Sequence, residues 1–146
     1  MFVDFGAFKN IEGNQATIDL EVLREHNVFF ATPCYGGQVT DQFFLSMFRM
    51  SQKFMQHGIN FRITTLRNES LITRGRNILT AMFLESECSH LMFIDADIEF
   101  EADDILRALA YDKPIMAAAY PKKALPIQYA INFKFVDQDT KQIRVE

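Results

Sequence analysis

The sequence lacks the features that mark several common classes of protein. It has no Trp, and its two cysteines, Cys34 and Cys88, are too few for a disulfide framework and show no Cys/His spacing typical of zinc. No apolar run approaches the roughly 20 residues of a membrane span. The N-terminus has no basic region followed by a long apolar core, so no secretory signal is visible. We therefore expect a cytoplasmic protein with reduced thiols.

Basic residues are also in short supply. The formal net charge of -4 argues against general nucleic-acid binding, which requires a basic face. Core material is ample, because 49% of the 146 residues are hydrophobic and 15 of them are Phe. The length suits one domain, and no repeat or linker divides the chain, so we expect a single domain over residues 1–146. Self-association would cover any Phe side chains that so small a fold leaves exposed.

Apolar, strand-like segments alternate with helical patterns from residue 27 onward. This alternation predicts an α/β fold, a mostly parallel sheet covered by helices, with a β-hairpin at the C-terminus. Residues 1–26 are the least readable, and no function is assigned to them. The predicted strands span residues 27–31, 59–66, 91–94 and 114–119; the predicted helices span about 41–57, 71–85 and 102–111; the hairpin pairs 128–136 with 141–145.

The first predicted helix has clear ends. Thr40 or Asp41 can cap its N-terminus, and Gly58 is a suitable C-terminal stop. Apolar residues at helical spacing predict a buried stripe along it. The members of this stripe are Phe43, Phe44, Met47, Phe48, Phe54 and Met55.

Two carboxylates follow the predicted strand 91–94. In an extended segment alternate side chains point to the same side, so Asp95 and Asp97, on either side of Ala96, can converge on one ligand. Open α/β sheets bind ligands at the carboxyl ends of their strands, where this pair falls. Two oxygen donors at such an edge suit Mg²⁺ or Mn²⁺ shared with a phosphorylated substrate. The alternative is a loop acid and a helix cap, although the acids at 101, 103 and 104 already supply the negative charge that the next helix's N-terminus favours.

The loop after the first strand is a second candidate for ligand contact. Residues 32–37, with sequence Thr-Pro-Cys-Tyr-Gly-Gly, let a ligand lie against backbone and the Tyr35 ring. The loop has neither the dinucleotide fingerprint nor the P-loop spacing. The alternative is a tight turn without function.

Cations follow two further strands. Arg74 and Asn77 share a face near the N-terminal end of a helix, where phosphate is attracted. Arg74 and Arg76 cannot both point inward, so at least one of them is an ordinary surface residue. Lys122, beside Lys123, follows the predicted strand 114–119 of the same sheet and could therefore reach a phosphate or an anionic sugar. The alternative is a solvated lysine pair.

With these residues placed, the sequence resembles the GT-A class of nucleotide-sugar glycosyltransferases over about residues 27–125. The resemblance rests on four features in order: the loop 32–37, the segment 70–77 with Arg74, the motif Asp95-Ala96-Asp97, and the basic loop at Lys122. It is closest to the compact enzymes of viruses and phages. It implies a Rossmann-like GT-A fold, a UDP-sugar donor, a glycan or other hydroxyl acceptor, and a bound Mn²⁺ or Mg²⁺. A viral chain would act in the host cytoplasm.

The resemblance also implies roles for individual residues. Asp97 would ligate the metal directly, and Asp95 would contact the ribose or a metal-bound water. Arg74, with Lys122, would stabilise the leaving diphosphate, and Glu99 is the nearest candidate for a catalytic base. The remaining implied nucleotide contacts are Thr32, Pro33, Cys34 and Tyr35 at the base and ribose, Asn77 near the base or diphosphate, and Ala96 within the motif.

Two other functions stay open. One is a nucleotide-sugar-binding module without efficient catalysis, because the longer C-terminal region of many family members is absent or reduced to the hairpin. The other is a Mg²⁺-dependent phosphohydrolase with an aspartate nucleophile. In such a site the acids usually follow the first strand, and Thr or Val stands where this chain has Glu99.

Overall fold

The computed structural model describes residues 2–3, 18–123, 125–129, 133–136 and 143–145. The chain divides into two compact units, residues 1–112 and 113–146, and each is described by itself. The interpretation of the chain as a single domain stays a prediction.

The first unit contains five short strands and four helices in its described part. The strands are β1 (Phe2–Val3), β2 (Ile18–Asp19), β3 (Asn27–Cys34), β4 (Asn60–Arg67) and β5 (His90–Phe93). The helices are α1 (Leu20–Arg24), α2 (Asp41–His57), α3 (Ile72–Leu84) and α4 (Ala102–Ala110). A 3-10 turn, Tyr35–Gly37, follows β3. None of the helices in the described ranges is long and apolar enough to cross a membrane.

The central sheet has three parallel strands in the order β4-β3-β5. The prediction of an α/β fold with a parallel, helix-flanked sheet is therefore confirmed, and this arrangement is compatible with a Rossmann-like fold. The prediction of a strand at 114–119 is wrong, because residues 114–120 are exposed and adopt no strand. Alanine at three of its six positions has a low strand propensity, and short apolar runs do not by themselves distinguish strands from loops.

The central strand β3 is buried on both faces, because helices cover both sides of the sheet. Val28 and Phe30 point to the layer formed by α1, α2 and α4. Phe29 and Ala31 point the other way and pack against Leu79 of α3. The alternation of side chains along β3 thus divides the interior into two apolar layers, one on each side of the sheet.

Helix α2 begins and ends as its sequence predicts. The Thr40 hydroxyl accepts a hydrogen bond from the Phe43 N–H at 3.3 Å, and Gly58 ends the helix with a left-handed φ of 72°. The predicted buried stripe is only partly correct. Its buried members are Phe43, Met47 and Phe54, with Met50 in addition, whereas Phe44, Phe48 and Met55 are exposed. The stripe is wider than the area that the sheet and α4 cover.

The second unit contains β6 (Phe133–Val136) and β7 (Ile143–Val145), which pair antiparallel. The other residues of the predicted hairpin, 130–132 and 137–142, lie outside the described residues. Nearer the start of the unit, Pro121 and Tyr129 form an isolated bridge, and the Lys122 N–H donates to the Gln128 carbonyl at 2.6 Å. Lys122 therefore lies in a loop closed within this unit.

Candidate functional site at the carboxyl edge of the sheet

The strand order places a switch point between β3 and β5. The chain passes from β3 through α2 to β4 on one side, then through α3 to β5 on the other side of β3. In open parallel sheets ligands bind outside the carboxyl ends of the strands at such a point, because the loops leave the two strands in opposite directions. The segments that flank it are the turn Tyr35–Gly37 after β3 and residues 94–99 after β5.

The acidic motif lies in a turn. The Ile94 N–H still donates to the Ala31 carbonyl at 3.2 Å, but the chain then reverses, and the Ile98 N–H donates to the Asp95 carbonyl at 3.2 Å. The prediction that Asp95 and Asp97 share one side of an extended segment is therefore wrong in its geometry. Asp95 is half-buried and Asp97 is exposed. Both carboxylates remain at the carboxyl end of β5, within one turn.

This turn is held against the N-terminus of α2. The Thr40 N–H donates to the Ala96 carbonyl at 3.0 Å, and the Thr40 hydroxyl lies 3.5 Å from the same oxygen. One residue thus caps α2 and fixes the acidic turn. The N-terminal end of a helix carries partial positive charge, so its position beside the turn favours negative charge there.

Arg76 is a cation that contacts the acidic motif through Asp95. Its Nη2 donates to Asp95 Oδ1 at 3.0 Å, and its Cζ lies 5.6 Å from the centre of the Phe93 ring. The ring and the carboxylate together orient the guanidinium, and the guanidinium in turn orients Asp95. The sequence analysis named Arg74 rather than Arg76 as the candidate for ligand contact. Its spacing of three and seven residues from Leu79 and Phe83, which pack toward the sheet, was the available signal.

Arg74 is engaged elsewhere. Its Nε and Nη2 donate to the two carboxylate oxygens of Glu69 at 2.6 and 2.7 Å, and Glu69 also accepts the Leu71 N–H at 2.9 Å. The hydrogen bond from Arg74 holds the pKa of the Glu69 carboxyl below its usual range. A carboxylate of the chain itself therefore lies at the start of α3, where the sequence predicted a phosphate. Asn77 is exposed on the same helix.

The predicted loop 32–37 offers fewer side chains than expected, because β3 extends to Cys34 and its last three residues, 32–34, belong to the strand. Thr32 and Cys34 are buried in the interior, so their side chains do not line a surface site, and burial raises the pKa of the Cys34 thiol. Pro33 is half-buried, and Tyr35 is 76% exposed.

The two glycines that follow Tyr35 have left-handed φ values of 69° and 72°. A Cβ on Gly37 would lie 3.2 Å from Cδ of Arg67, the last residue of β4, at the same edge. Glycine is therefore required for the conformation of this turn and for its close approach to β4.

The acidic motif suits a metal ion that needs only one or two protein ligands. Among the described residues, no group of three or more His, Cys, Asp or Glu side chains could hold a metal ion. Mg²⁺ commonly uses one or two protein carboxylates and completes its shell with substrate phosphates and water. Asp95 and Asp97 fit that donor set. Glu99 is exposed on the segment between the turn and α4, because its neighbours Ile98 and Phe100 pack against the core.

The chain shows no match to a protein-family model, to a curated protein or to a solved structure. Membership of the GT-A class therefore stays a prediction from the sequence motifs.

Proposed function

We propose that the chain is a metal-dependent glycosyltransferase that transfers a sugar from a nucleoside diphosphate sugar, most simply a UDP-sugar, to an acceptor hydroxyl. The observation that carries the proposal is the position of the acidic turn. It lies at the switch point of a parallel, doubly covered sheet, opposite a glycine turn that exposes Tyr35. That edge is where such sheets bind nucleotides.

In this proposal Asp97, with Asp95, holds Mn²⁺ or Mg²⁺. When bound, the metal would neutralise the negative charge that develops on the departing diphosphate. Because the described residues offer two carboxylates and no group of three or more metal ligands, we expect metal and nucleotide to bind together rather than the metal alone.

The residues of the chain have distinct roles in the proposal. Arg76 orients the Asp95 carboxylate and adds fixed positive charge beside the diphosphate. Tyr35 offers a ring on which a base can stack, and the adjacent glycine turn lets the nucleotide approach the backbone. Glu99 is the candidate base for the acceptor hydroxyl, since it is an exposed carboxylate just beyond the motif. Arg74 remains a secondary candidate for diphosphate contact, but only if its ion pair with Glu69 opens. A phosphate contact by Lys122 stays a prediction from the sequence.

The proposed location is the cytoplasm, the compartment in which both free cysteines would stay reduced.

The first test is calorimetric titration of UDP with and without Mn²⁺. We expect Mn²⁺-dependent binding in the wild type and at least about a tenfold loss in Asp97→Asn, because a neutral amide is a poor metal ligand. Asp112→Asn is the matched control, since it removes the same charge from the amino end of the sheet, near His90. Binding that ignores Mn²⁺, or that Asp97→Asn leaves unchanged, would overturn the proposed site.

One observation favours a second candidate, a nucleotide-sugar-binding module without efficient catalysis. Asp95 is already paired with Arg76, and an ion pair that holds an acid in place also restrains its movement during a reaction. Incubation of the protein with UDP-sugars and Mn²⁺ separates the two functions. Donor hydrolysis or transfer supports the enzyme, and tight donor binding without turnover supports the module. Hydrolysis of a generic phosphate ester instead would indicate a phosphohydrolase.

A further inference from the structure

Helix α2 has two different flanks. On one flank Lys53 pairs with Asp103 of α4, and the Ser46 hydroxyl accepts the Phe100 N–H at 3.1 Å. At 100° per residue, Phe44, Phe48 and Met55 lie on the opposite flank. There they are 58%, 51% and 64% exposed, and the two Phe rings stack with their centres 6.4 Å apart. Three large apolar side chains are thus aligned along a solvent-facing stripe.

The stripe continues onto β4. The Phe54 ring of α2 meets the Phe61 ring of β4 edge-on at 5.7 Å, which places α2 over this strand. Alternate residues of a strand point to one face, so Ile63 lies on the same face as Phe61. Ile63 is 46% exposed. We call the surface formed by Phe44, Phe48, Met55 and Ile63 the α2–β4 surface.

This surface borders an open strand edge. β4 pairs with β3 at all eight of its residues without a bulge, and no other strand in the described part of the chain pairs with β4's outer side. Its sequence, Asn-Phe-Arg-Ile-Thr-Thr-Leu-Arg, contains no proline. Proteins usually protect an exposed edge by shortening, bulging or covering it, because its free backbone groups pair readily with another strand.

We propose that the α2–β4 surface is a self-association interface, in which β4 pairs antiparallel with β4 of a second copy about a two-fold axis perpendicular to the sheet. Such an axis reverses the strand direction and keeps each face on its own side. The apolar stripes of the two copies therefore lie side by side on one face of a continuous six-stranded sheet. A single surface serves both partners, as a two-fold interface requires.

Charge favours one register of this pairing. With Ile63 opposite Ile63 of the second copy, Arg62 lies opposite Thr64 rather than opposite its own symmetry mate, which would be repulsive. On that face a groove beside β4 is lined by Thr64, Met82 and Glu85 together with Phe29 and Arg62. The Arg62 side chain of the second copy, beside Thr64, therefore meets a groove that contains the Glu85 carboxylate.

Other occupants fit the surface less well. A lipid surface would cover the apolar stripe but would leave the backbone groups of the β4 edge without hydrogen-bond partners. An unrelated extended peptide would satisfy the edge but would not bring a second apolar stripe to lie against the first. A second copy supplies both. The interface also lies at the edge of the sheet away from β5, so it leaves the acidic turn open and is independent of the proposed activity.

The test is the oligomeric state, measured by light scattering and sedimentation at increasing protein concentration. We expect the wild type to reach twice the 16.9 kDa of one chain. Ile63→Lys should give a monomer, because it places two charges opposite each other at the axis. Ile72→Lys is the matched control, since Ile72 is 48% exposed and is not one of the four residues of the α2–β4 surface. A wild type that stays monomeric, or an Ile63→Lys variant that stays dimeric, would overturn the proposal.

A second measurement does not depend on how well the lysine variant folds. In a Cys88→Ser background, Ile63→Cys should give a covalent dimer on mild oxidation with a copper–phenanthroline catalyst and oxygen, which accepts the electrons of the two thiols. Ile72→Cys should not. The directly opposed Cβ atoms of such a pair lie about 5 Å apart, within reach of a disulfide after small adjustment. Absence of the covalent dimer would overturn the proposed register, and vesicle binding that Ile63→Lys abolishes in a monomeric protein would indicate a lipid surface instead.

Discussion

The two ends of the parallel strands hold different kinds of charge. At the carboxyl end, arginines and acids form ion pairs at the surface: Arg76 with Asp95, and Arg74 with Glu69. At the amino end stand all three histidines of the chain, one before or at the start of each strand: His26, His57 and His90. Exposed ion pairs can open and bind an ionic ligand instead of their partner within the protein. Half-buried imidazoles change their charge near neutral pH, so their contribution to stability depends on pH.

The amino end is built around a contact between two imidazoles. The ring centres of His26 and His90 are 4.3 Å apart at 52°, and Ser89 Oγ lies 2.9 Å from His90 Nδ1. Burial and the neighbouring His26 lower the pKa of His90, and Asp112 partly opposes this. Burial also lowers the pKa of His57, with Lys53 and Arg24 acting in the same direction. Both groups favour the neutral form in the folded protein.

This comparison predicts that changes at the carboxyl end affect ligand binding more than stability, and that the reverse holds at the amino end. Beyond the proposed metal ligand Asp97, the largest effect is expected for Arg76→Gln, in the titration of UDP with Mn²⁺. Loss of one charge-assisted hydrogen bond to Asp95 should weaken binding about tenfold, while an exposed ion pair contributes only about 0–1 kcal/mol to folding.

Arg74→Gln is the matched control for Arg76→Gln. It removes the same charge two residues away on α3, but from the ion pair with Glu69. We expect a change of less than about twofold in UDP affinity, since the carboxylate it releases stays at the start of α3. If Arg74→Gln weakens binding more than Arg76→Gln does, the assignment of the two arginines is reversed.

An intermediate effect is expected for Thr40→Ala, because Thr40 contributes both to the stability of α2 and to the position of the acidic turn. The hydroxyl caps α2, so its loss should lower the free energy of unfolding by about 1 kcal/mol in urea. UDP affinity should fall less than in Arg76→Gln, because the backbone hydrogen bond from Thr40 to Ala96 remains. Thr40→Ser keeps the hydroxyl and should lose only a few tenths of a kcal/mol. A serine variant as unstable as the alanine variant would show that the cap is not the cause.

The smallest effect is expected from the histidines. Because the pKa values of His57 and His90 are lower in the folded protein, the unfolded chain binds more protons, and stability should fall as pH decreases below about 6.5. Unfolding in urea at about pH 7.5 and about pH 5.5 measures this loss, which the double variant His57→Gln/His90→Gln should reduce. UDP affinity of that variant at constant pH should be unchanged. A loss of affinity without a change in the pH dependence of stability would contradict the division between the two ends.

Local signals in the sequence were sufficient for the elements of the first unit from β3 to α4, but not for β1, β2 and α1. Thr40 and Gly58 mark the ends of α2 because a cap and a left-handed residue act within one turn of the chain. The apolar runs of β3 and β5, separated by helical patterns, indicate a parallel sheet. The acidic motif was found because it directly follows a strand.

The predictions that were wrong concern features that depend on contacts with distant parts of the chain. Residues 114–119 have the apolar character of a strand but not its structure. Phe44 and Phe48 have the spacing of a buried face, yet the covering elements reach only the other part of α2. Helical periodicity indicates that Arg74 and Arg76 cannot both point inward, but it does not say which of them does. The position of β5 against α3 brings Arg76 to the acidic turn.

By itself the sequence determined both caps of α2, the alternation of strands and helices, and the presence of two carboxylates at the end of a strand. Each of these depends on residues a few positions apart, whose geometry the backbone already restricts. The tertiary structure decided which face of α2 is covered, that the acidic motif lies in a turn, and which cation contacts it. Those outcomes depend on which segments pack side by side. Packing involves surfaces that are far apart in the sequence, so residues a few positions apart do not determine it.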